Sequence, residues 1–76
     1  MPLSLEEAFG QVLKELRKEK GLSQEELAHE SGLDRTFISL PERGKRQPSL
    51  GTIISIANVL GLTASEVIQK VEFVLK

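Results

Sequence analysis

A chain of 76 residues with 39% hydrophobic residues and no cysteine has an ordinary globular composition, and it lacks disulfides and thiolate chemistry. Ten Lys and Arg against eleven Asp and Glu give a net charge of -1, so total charge does not favour a nucleic-acid partner and the charge distribution must decide. No apolar run approaches the ~18 residues of a membrane span, and the N-terminus does not resemble a signal peptide. We therefore expect a single cytoplasmic domain over residues 1–76 with no membrane partner.

Helical signals begin close to the N-terminus. Ser4 and Glu7 stand in capping-box register, and apolar residues then recur at the i, i+3, i+4, i+7 spacing, which predicts a helix over about residues 5–20. The same box recurs at Ser23, and Gly32 supplies a left-handed stop. The second helix is therefore only two turns long.

A third short helix follows over about residues 34–41. Asp34 can cap its start, and Phe37 and Ile38 are expected to point into the core. Pro41 has no amide proton, so we expect it to stop or bend this helix.

Two further helices complete the chain. Ser49 begins the fourth, which ends at Gly61, and Thr63 opens the fifth over about residues 64–75. No alternating strand pattern is present. Short amphipathic helices joined by short loops must pack helix on helix, so we predict an all-α fold of five helices.

The arrangement over residues 24–43 is the most specific in the chain. Ala28 allows two helices to cross closely, Gly32 permits the positive φ of a tight turn, and Leu33 and Ile38 point inward. A two-turn helix, a glycine turn and a second short helix make a helix-turn-helix.

The outer side of the third helix suits base contact. At 100° per residue one side of the helix holds Phe37, Ile38 and Pro41, and the other side holds Arg35, Thr36, Ser39, Leu40 and Arg43. An Arg suits a guanine edge, Thr and Leu can meet a thymine methyl, and Ser can reach a phosphate or a base. A merely solvated face is the alternative, but an exposed Leu and few charges favour contact. We predict base contacts from Arg35, Thr36, Ser39 and Leu40.

The loop after this helix concentrates positive charge, whereas acidic residues gather at helix starts. Such a loop can be only solvated, yet its position beside the third helix favours phosphate contact. A Gln at the start of the second helix can present its amide to the same backbone. The predicted phosphate contacts are Gln24, Arg43, Lys45 and Arg46.

Catalysis and metal binding have little support. His29 is the only histidine, Cys and Tyr are missing, and no carboxylate pair stands out. We expect His29 to be solvated, and we expect no catalytic, metal or cofactor site. A chain of this length has no room for a separate effector domain, so no small-molecule effector is expected.

Three strings, "LRKEKGLSQEELAHESGLDRTFIS", "ERGKRQPSL" and "IANVLGLTASEV", make up 45 of the 76 residues. Together they resemble the lambda-repressor-like, or XRE-type, helix-turn-helix regulators. The string "GLDRTFIS" in a chain this short is most similar to the controller proteins of restriction-modification systems. The resemblance implies a DNA-binding transcription regulator, such as a repressor.

The resemblance also implies residue roles. Gln24 would hold a phosphate, and Arg35, Thr36 and Ser39 would approach base edges. Positions matching the family's backbone contacts are Arg43 and Lys45, and the positions matching a family ion pair are Arg17 and Glu42. One departure is Pro41, which replaces a branched aliphatic residue just before Glu42.

The leading hypothesis is a sequence-specific regulator without catalytic activity that binds a palindromic operator as a homodimer. Two turns of helix read too few base pairs alone, and the fifth helix has more apolar residues than a small core covers. The predicted dimer interface comprises Val71, Phe73, Val74 and Leu75. The alternative is a protein-interaction module, such as an antitoxin or adaptor, that acts through the fifth helix.

Overall fold

The computed structural model describes residues 3–76, which form five α-helices joined by short loops. No strand occurs within this range. The predicted all-α fold of five helices is therefore confirmed. The helices are α1 (Leu5–Glu19), α2 (Gln24–Glu30), α3 (Thr36–Glu42), α4 (Leu50–Val59) and α5 (Ala64–Leu75).

Side-chain caps start four of the helices, as the sequence predicts. Ser4 and Ser23 each accept the amide of a Glu three residues on, and that Glu accepts the amide of the Ser in return. Thr63 forms the same box at α5, and Ser49 accepts the Thr52 amide at 3.2 Å at α4. Because these bonds satisfy amides that a helix start leaves unpaired, they fix where each helix begins.

A tight turn joins α2 to α3. Gly32 has a φ of 70°, and no atom lies within 4 Å of where its Cβ would stand, so the glycine is required by conformation and not by crowding. The Leu33 amide donates to the Ala28 carbonyl at 2.8 Å, which closes the end of α2.

The start of α3 differs slightly from the prediction. The helix begins at Thr36, two residues later than expected. Asp34 does act at this end, since its Oδ2 accepts the Thr36 amide at 3.1 Å and the Thr36 hydroxyl at 2.6 Å. These two hydrogen bonds lower the pKa of the Asp34 carboxyl.

Pro41 lies inside α3, one residue before its end, so the helix stops one residue later than the predicted end at about residue 41. The helix continues to Glu42. The Arg43 amide donates to the Ser39 carbonyl at 3.2 Å, a hydrogen bond that spans Pro41. A proline in the last turn removes only one hydrogen bond, and its ring is fully buried, so apolar burial offsets the loss.

The core lies around α1, which packs against α3 on one side and α5 on another. Its largest fully buried apolar side chains include Phe9, Leu13, Leu27 and Ile38. At Gly10 the backbones of α1 and α3 touch, because a Cβ there would overlap the carbonyl oxygen of Pro41. This contact sets the distance between α3 and the rest of the domain.

Residues 3–76 offer no metal cluster and no single membrane span. No group of three His, Asp or Glu side chains in this range is placed to hold a metal ion. No single helix there is long and apolar enough to cross a membrane; α4 and α5 reach that length and composition only as a pair bent by 103°.

The Gly10 contact yields a matched prediction. Gly10→Ala should destabilise the domain by about 1 to 2 kcal/mol, because overpacking against a buried backbone outweighs the gain in helix propensity. Gly51→Ala in α4 should instead stabilise by about 0.5 to 1 kcal/mol, since nothing lies closer than 4.0 Å to its added Cβ. Urea unfolding of both variants is the measurement, and stabilisation by Gly10→Ala would contradict the close approach.

Candidate nucleic-acid interface

The outer side of α3 presents polar side chains next to the turn. Arg35 and Thr36 are exposed, while Ser39 and Leu40 are half-buried at the edge of the same side. Ile38, on the opposite side, is fully buried. The structure thus brings the four predicted base-contact residues onto one accessible side of α3 and its N-cap.

A buried ion pair fixes the end of α3. Arg17 Nε donates to Glu42 Oε2 at 2.6 Å and Arg17 Nη2 donates to Glu42 Oε1 at 2.9 Å, so the pair is bidentate. Arg17 Nη1 also donates to the Leu22 carbonyl at 2.8 Å. Hydrogen bonding to Glu42 raises the pKa of the Arg17 guanidinium, against the opposing effect of burial. The pairing that the family resemblance implies is present.

Gln24 joins this ion pair to the exposed side of α3. Its Nε2 donates to Glu42 Oε1 at 3.0 Å, and its Oε1 accepts from Arg35 Nη2 at 3.4 Å. One Nε2 proton therefore remains for a phosphate. Gln24 and Arg35 were given separate roles from the sequence, and their contact was missed. The helical periodicity of a sequence shows which residues share a face of one helix, and it does not show hydrogen bonds to residues outside that helix.

Phe37 was expected in the core beside Ile38, and that prediction was wrong. The Phe37 ring is only half-buried, and the Arg46 guanidinium lies over it at 5.4 Å from the ring centroid. The ring projects far enough toward the edge of α3 to meet the loop, and a cation–π contact covers its outer face. The helical projection grouped Phe37 with Ile38 and could not anticipate a partner from the loop.

The loop after α3 presents free positive charge. Arg43, Lys45 and Arg46 are exposed, and Gly44 turns the loop with a φ of 70°. Within residues 3–76 the Arg17–Glu42 pair is the one ion pair closer than 4.0 Å, so these three cations have no carboxylate partner there. The loop can accept phosphates without first breaking a salt bridge.

The predicted interface residues of α5 do not form one surface. Val71 is only 2% exposed and belongs to the monomer's own core, so its assignment to an interface is corrected. Val74 is half-buried against that core, whereas Phe73 is 78% and Leu75 37% exposed. Because Phe73 and Leu75 are two positions apart, they lie about 160° apart around the helix. They mark two different flanks of α5.

A two-turn helix, a glycine turn, a second helix with an accessible polar side and an unpaired basic loop together define a DNA-binding domain of the helix-turn-helix class. The sequence profile of the helix-turn-helix family HTH_3 matches residues 13–67. The chain belongs to this XRE-type family of transcriptional regulators.

Similar proteins include several restriction-modification controllers. The control protein C.MunI of a Mycoplasma species is 49% identical over 65 residues, which cover 84% of this chain and 88% of that protein. The crystal structure of the controller protein C.AhdI from Aeromonas hydrophila matches with a TM-score of 0.78 and 48% identity, over 82% of this chain and 94% of that one. The controller C.Esp1396I, solved as a tetramer with its natural 35-base-pair operator, matches with a TM-score of 0.83 and 32% identity over 96% of each chain.

The ion pair yields the next prediction. Arg17→Met should cost about 3 to 5 kcal/mol, because it leaves the Glu42 carboxylate, whose side chain is 2% exposed, without its cation. Arg17→Met with Glu42→Met should recover most of that loss, since two apolar side chains of similar volume can fill the space. Lys18→Met, at an exposed neighbouring position, is the control and should change stability by less than about 0.5 kcal/mol.

Thermal and urea unfolding of the four proteins test this prediction. If the double variant is less stable than Arg17→Met alone, the two side chains act independently and the buried carboxylate is not the source of the cost.

Proposed function

We propose that this protein is a transcriptional regulator of the controller type that binds a palindromic operator as a homodimer, with α3 in the major groove. The observation that supports this most directly is the accessible polar side of α3 beside a basic loop with no carboxylate partner. We expect it to act in the cytoplasm, without cofactor, small-molecule effector or catalytic activity.

The base-reading role falls to the N-cap of α3 and to the outer side of the helix. Arg35 has a planar guanidinium that can donate twice to a guanine edge, and Thr36 and Leu40 offer methyl groups to thymine. In the free protein Arg35 contacts the neutral Gln24 amide at 3.4 Å, a long bond that a guanine can replace at little cost. Ser39, half-buried on the same side, can reach a base or a phosphate.

Phosphate contact falls to the loop and to Gln24. Arg43, Lys45 and Arg46 would neutralise phosphates and release counterions, which makes affinity fall with salt. Gln24 would donate one side-chain amide proton to a DNA phosphate, while its other amide proton stays hydrogen-bonded to Glu42. These contacts orient α3 on the duplex and bear no sequence information themselves.

The relatives give this proposal further support. The controller C.Esp1396I, which matches 96% of this chain, is described as a tetramer on its natural operator. An assembly of several copies on DNA is what a two-turn recognition helix needs, because a single copy reads too few base pairs for a selective site.

The base and phosphate roles predict different binding losses. Arg35→Ala should reduce discrimination at one base pair of each half-site by about 1 to 3 kcal/mol, because a bidentate contact is lost. Lys45→Ala should weaken binding to all sequences similarly and lower the salt slope by about 1. Operator DNA selected from a random pool, its single-base variants and random duplexes supply the probes.

Equal losses on operator and random DNA for Arg35→Ala would contradict the base contact. Gel shifts or fluorescence anisotropy over a series of salt concentrations give both quantities. Absence of binding to any duplex by the unmodified protein would contradict the proposed function as a whole.

The homodimer is best placed on the Leu75 flank of α5. Ile68 stands seven positions before Leu75, so the two share this flank, and both retain exposed surface. The Phe73 flank instead borders an open groove along α1, on the side of α1 opposite the residues that contact α3. A two-fold dimer there would turn the two α3 helices away from a common duplex, whereas half-sites about 34 Å apart require them on one side.

The dimer assignment predicts that Leu75→Lys gives a monomer at micromolar concentration, since a charge would be buried at the two-fold contact. Operator affinity should fall with it, because each half-site must then be bound alone. Leu5→Lys is the control at another exposed leucine, 49% exposed at the start of α1. Analytical ultracentrifugation decides, and an unchanged dimer for Leu75→Lys would contradict this interface.

A further inference from the structure

A groove of about 590 Å³ runs between α1 and α5. Its apolar lining includes Val12 and Leu16 from α1 and Val74 from α5. Phe73 stands at the α5 wall with 78% of its surface exposed, the most exposed of the large hydrophobic side chains over residues 3–76. An aromatic ring left in water beside an apolar groove marks a contact surface.

This groove opens on the side of the domain that faces away from α3. Gly10 touches Pro41 of α3, whereas Val12, two positions on, lines the groove. Arg17 bonds to α3, whereas Glu19, again two positions on, lines the groove. Two positions turn an α-helix by about 200°. The groove therefore stays open while α3 is on DNA.

The two walls of the groove differ in charge: the α1 wall is acidic, whereas the α5 wall carries one charge of each sign. The α1 wall presents Glu15 and Glu19, and the α5 wall presents Lys70 beside Phe73, with Glu66 one turn earlier. Within the described chain none of these charges forms an ion pair closer than 4.0 Å. A two-fold axis along the groove would place the α5 wall of one copy over the α1 wall of another, so Lys70 would meet Glu15 and Glu19.

We propose that the α1–α5 groove binds a second copy of this chain, with Phe73 of each copy inserted into the groove of the other and Lys70 facing the partner's acidic wall. The chain itself supplies the matching ligand, since the helix next to the groove presents an aromatic anchor and a Lys on one flank. This contact is separate from the operator dimer on the Leu75 flank. It links DNA-bound units through their outer sides.

The anchor is tested in the Leu75→Lys background, where association through the operator dimer is removed. Sedimentation of this full-length variant from about 1 µM to about 1 mM should still show a monomer–dimer equilibrium. Adding Phe73→Ser should weaken that equilibrium at least roughly tenfold, because a central aromatic anchor is lost. Adding Leu5→Ser, which removes an exposed leucine elsewhere, should leave it unchanged.

The charges on the two walls of the groove are tested by exchanging their signs in the Leu75→Lys variant. Lys70→Glu should weaken association, and so should Glu15→Lys with Glu19→Lys, because each leaves like charges facing one another. Lys70→Glu with Glu15→Lys and Glu19→Lys should restore it, since the opposite signs then face each other again. A merely structural role for these exposed side chains does not predict rescue.

Absence of rescue, or unchanged association after Phe73→Ser, would overturn the proposal. A Leu75→Lys protein that stays monomeric to about 1 mM would overturn it too and would leave the groove to a different protein. None of these measurements uses DNA, so failure of the groove contact is distinguishable from failure of operator binding.

Discussion

The Arg17–Glu42 ion pair is the interaction on which the DNA-facing side of this domain depends. Its bidentate geometry connects the last turn of α1 to the last residue of α3, and Arg17 also holds the Leu22 carbonyl just before α2. Gln24 at the start of α2 donates to the same carboxylate. One carboxylate therefore sets the relative position of three helices, and because its side chain is 2% exposed, the arrangement has little freedom to relax.

The backbone contact at Gly10 is a second constraint on the position of α3, in addition to the ion pair. With no Cβ at Gly10, α3 can approach until the Pro41 carbonyl rests on α1, and the buried proline ring fills the space beside this contact. The ion pair lies two turns of α1 further along. Two fixed points on one helix determine the direction of the other, so the accessible side of α3 has a defined orientation before any DNA is bound.

Much of the fold could be predicted from sequence because its signals are local. The caps at Ser4, Ser23, Ser49 and Thr63 act within four residues, and the period of apolar residues reports each buried face. Contacts between residues on different elements of the fold have no such signal. The Gln24–Arg35 and Phe37–Arg46 contacts were missed for that reason, and the Arg17–Glu42 pair came only from family resemblance. Val71 and Phe73 were assigned to one interface because being apolar near a chain end does not distinguish a core position from an exposed flank.

The net charge of -1 did not indicate a DNA partner, because the acidic and basic residues have different roles in this fold. Five of the carboxylates lie in the first turn of a helix, where they oppose the positive end of the helix dipole: Glu6, Glu7, Glu25, Glu26 and Glu66. The pKa of Glu26 is lowered by the Ser23 amide that it accepts, so this carboxylate stays ionised as part of a cap. Acidic residues thus stabilise helices at many points, whereas the cations after α3 are free of such partners. A small domain can be near neutral overall and still present a positive edge, because a phosphate within about one Debye length responds to the nearest charges and not to the total.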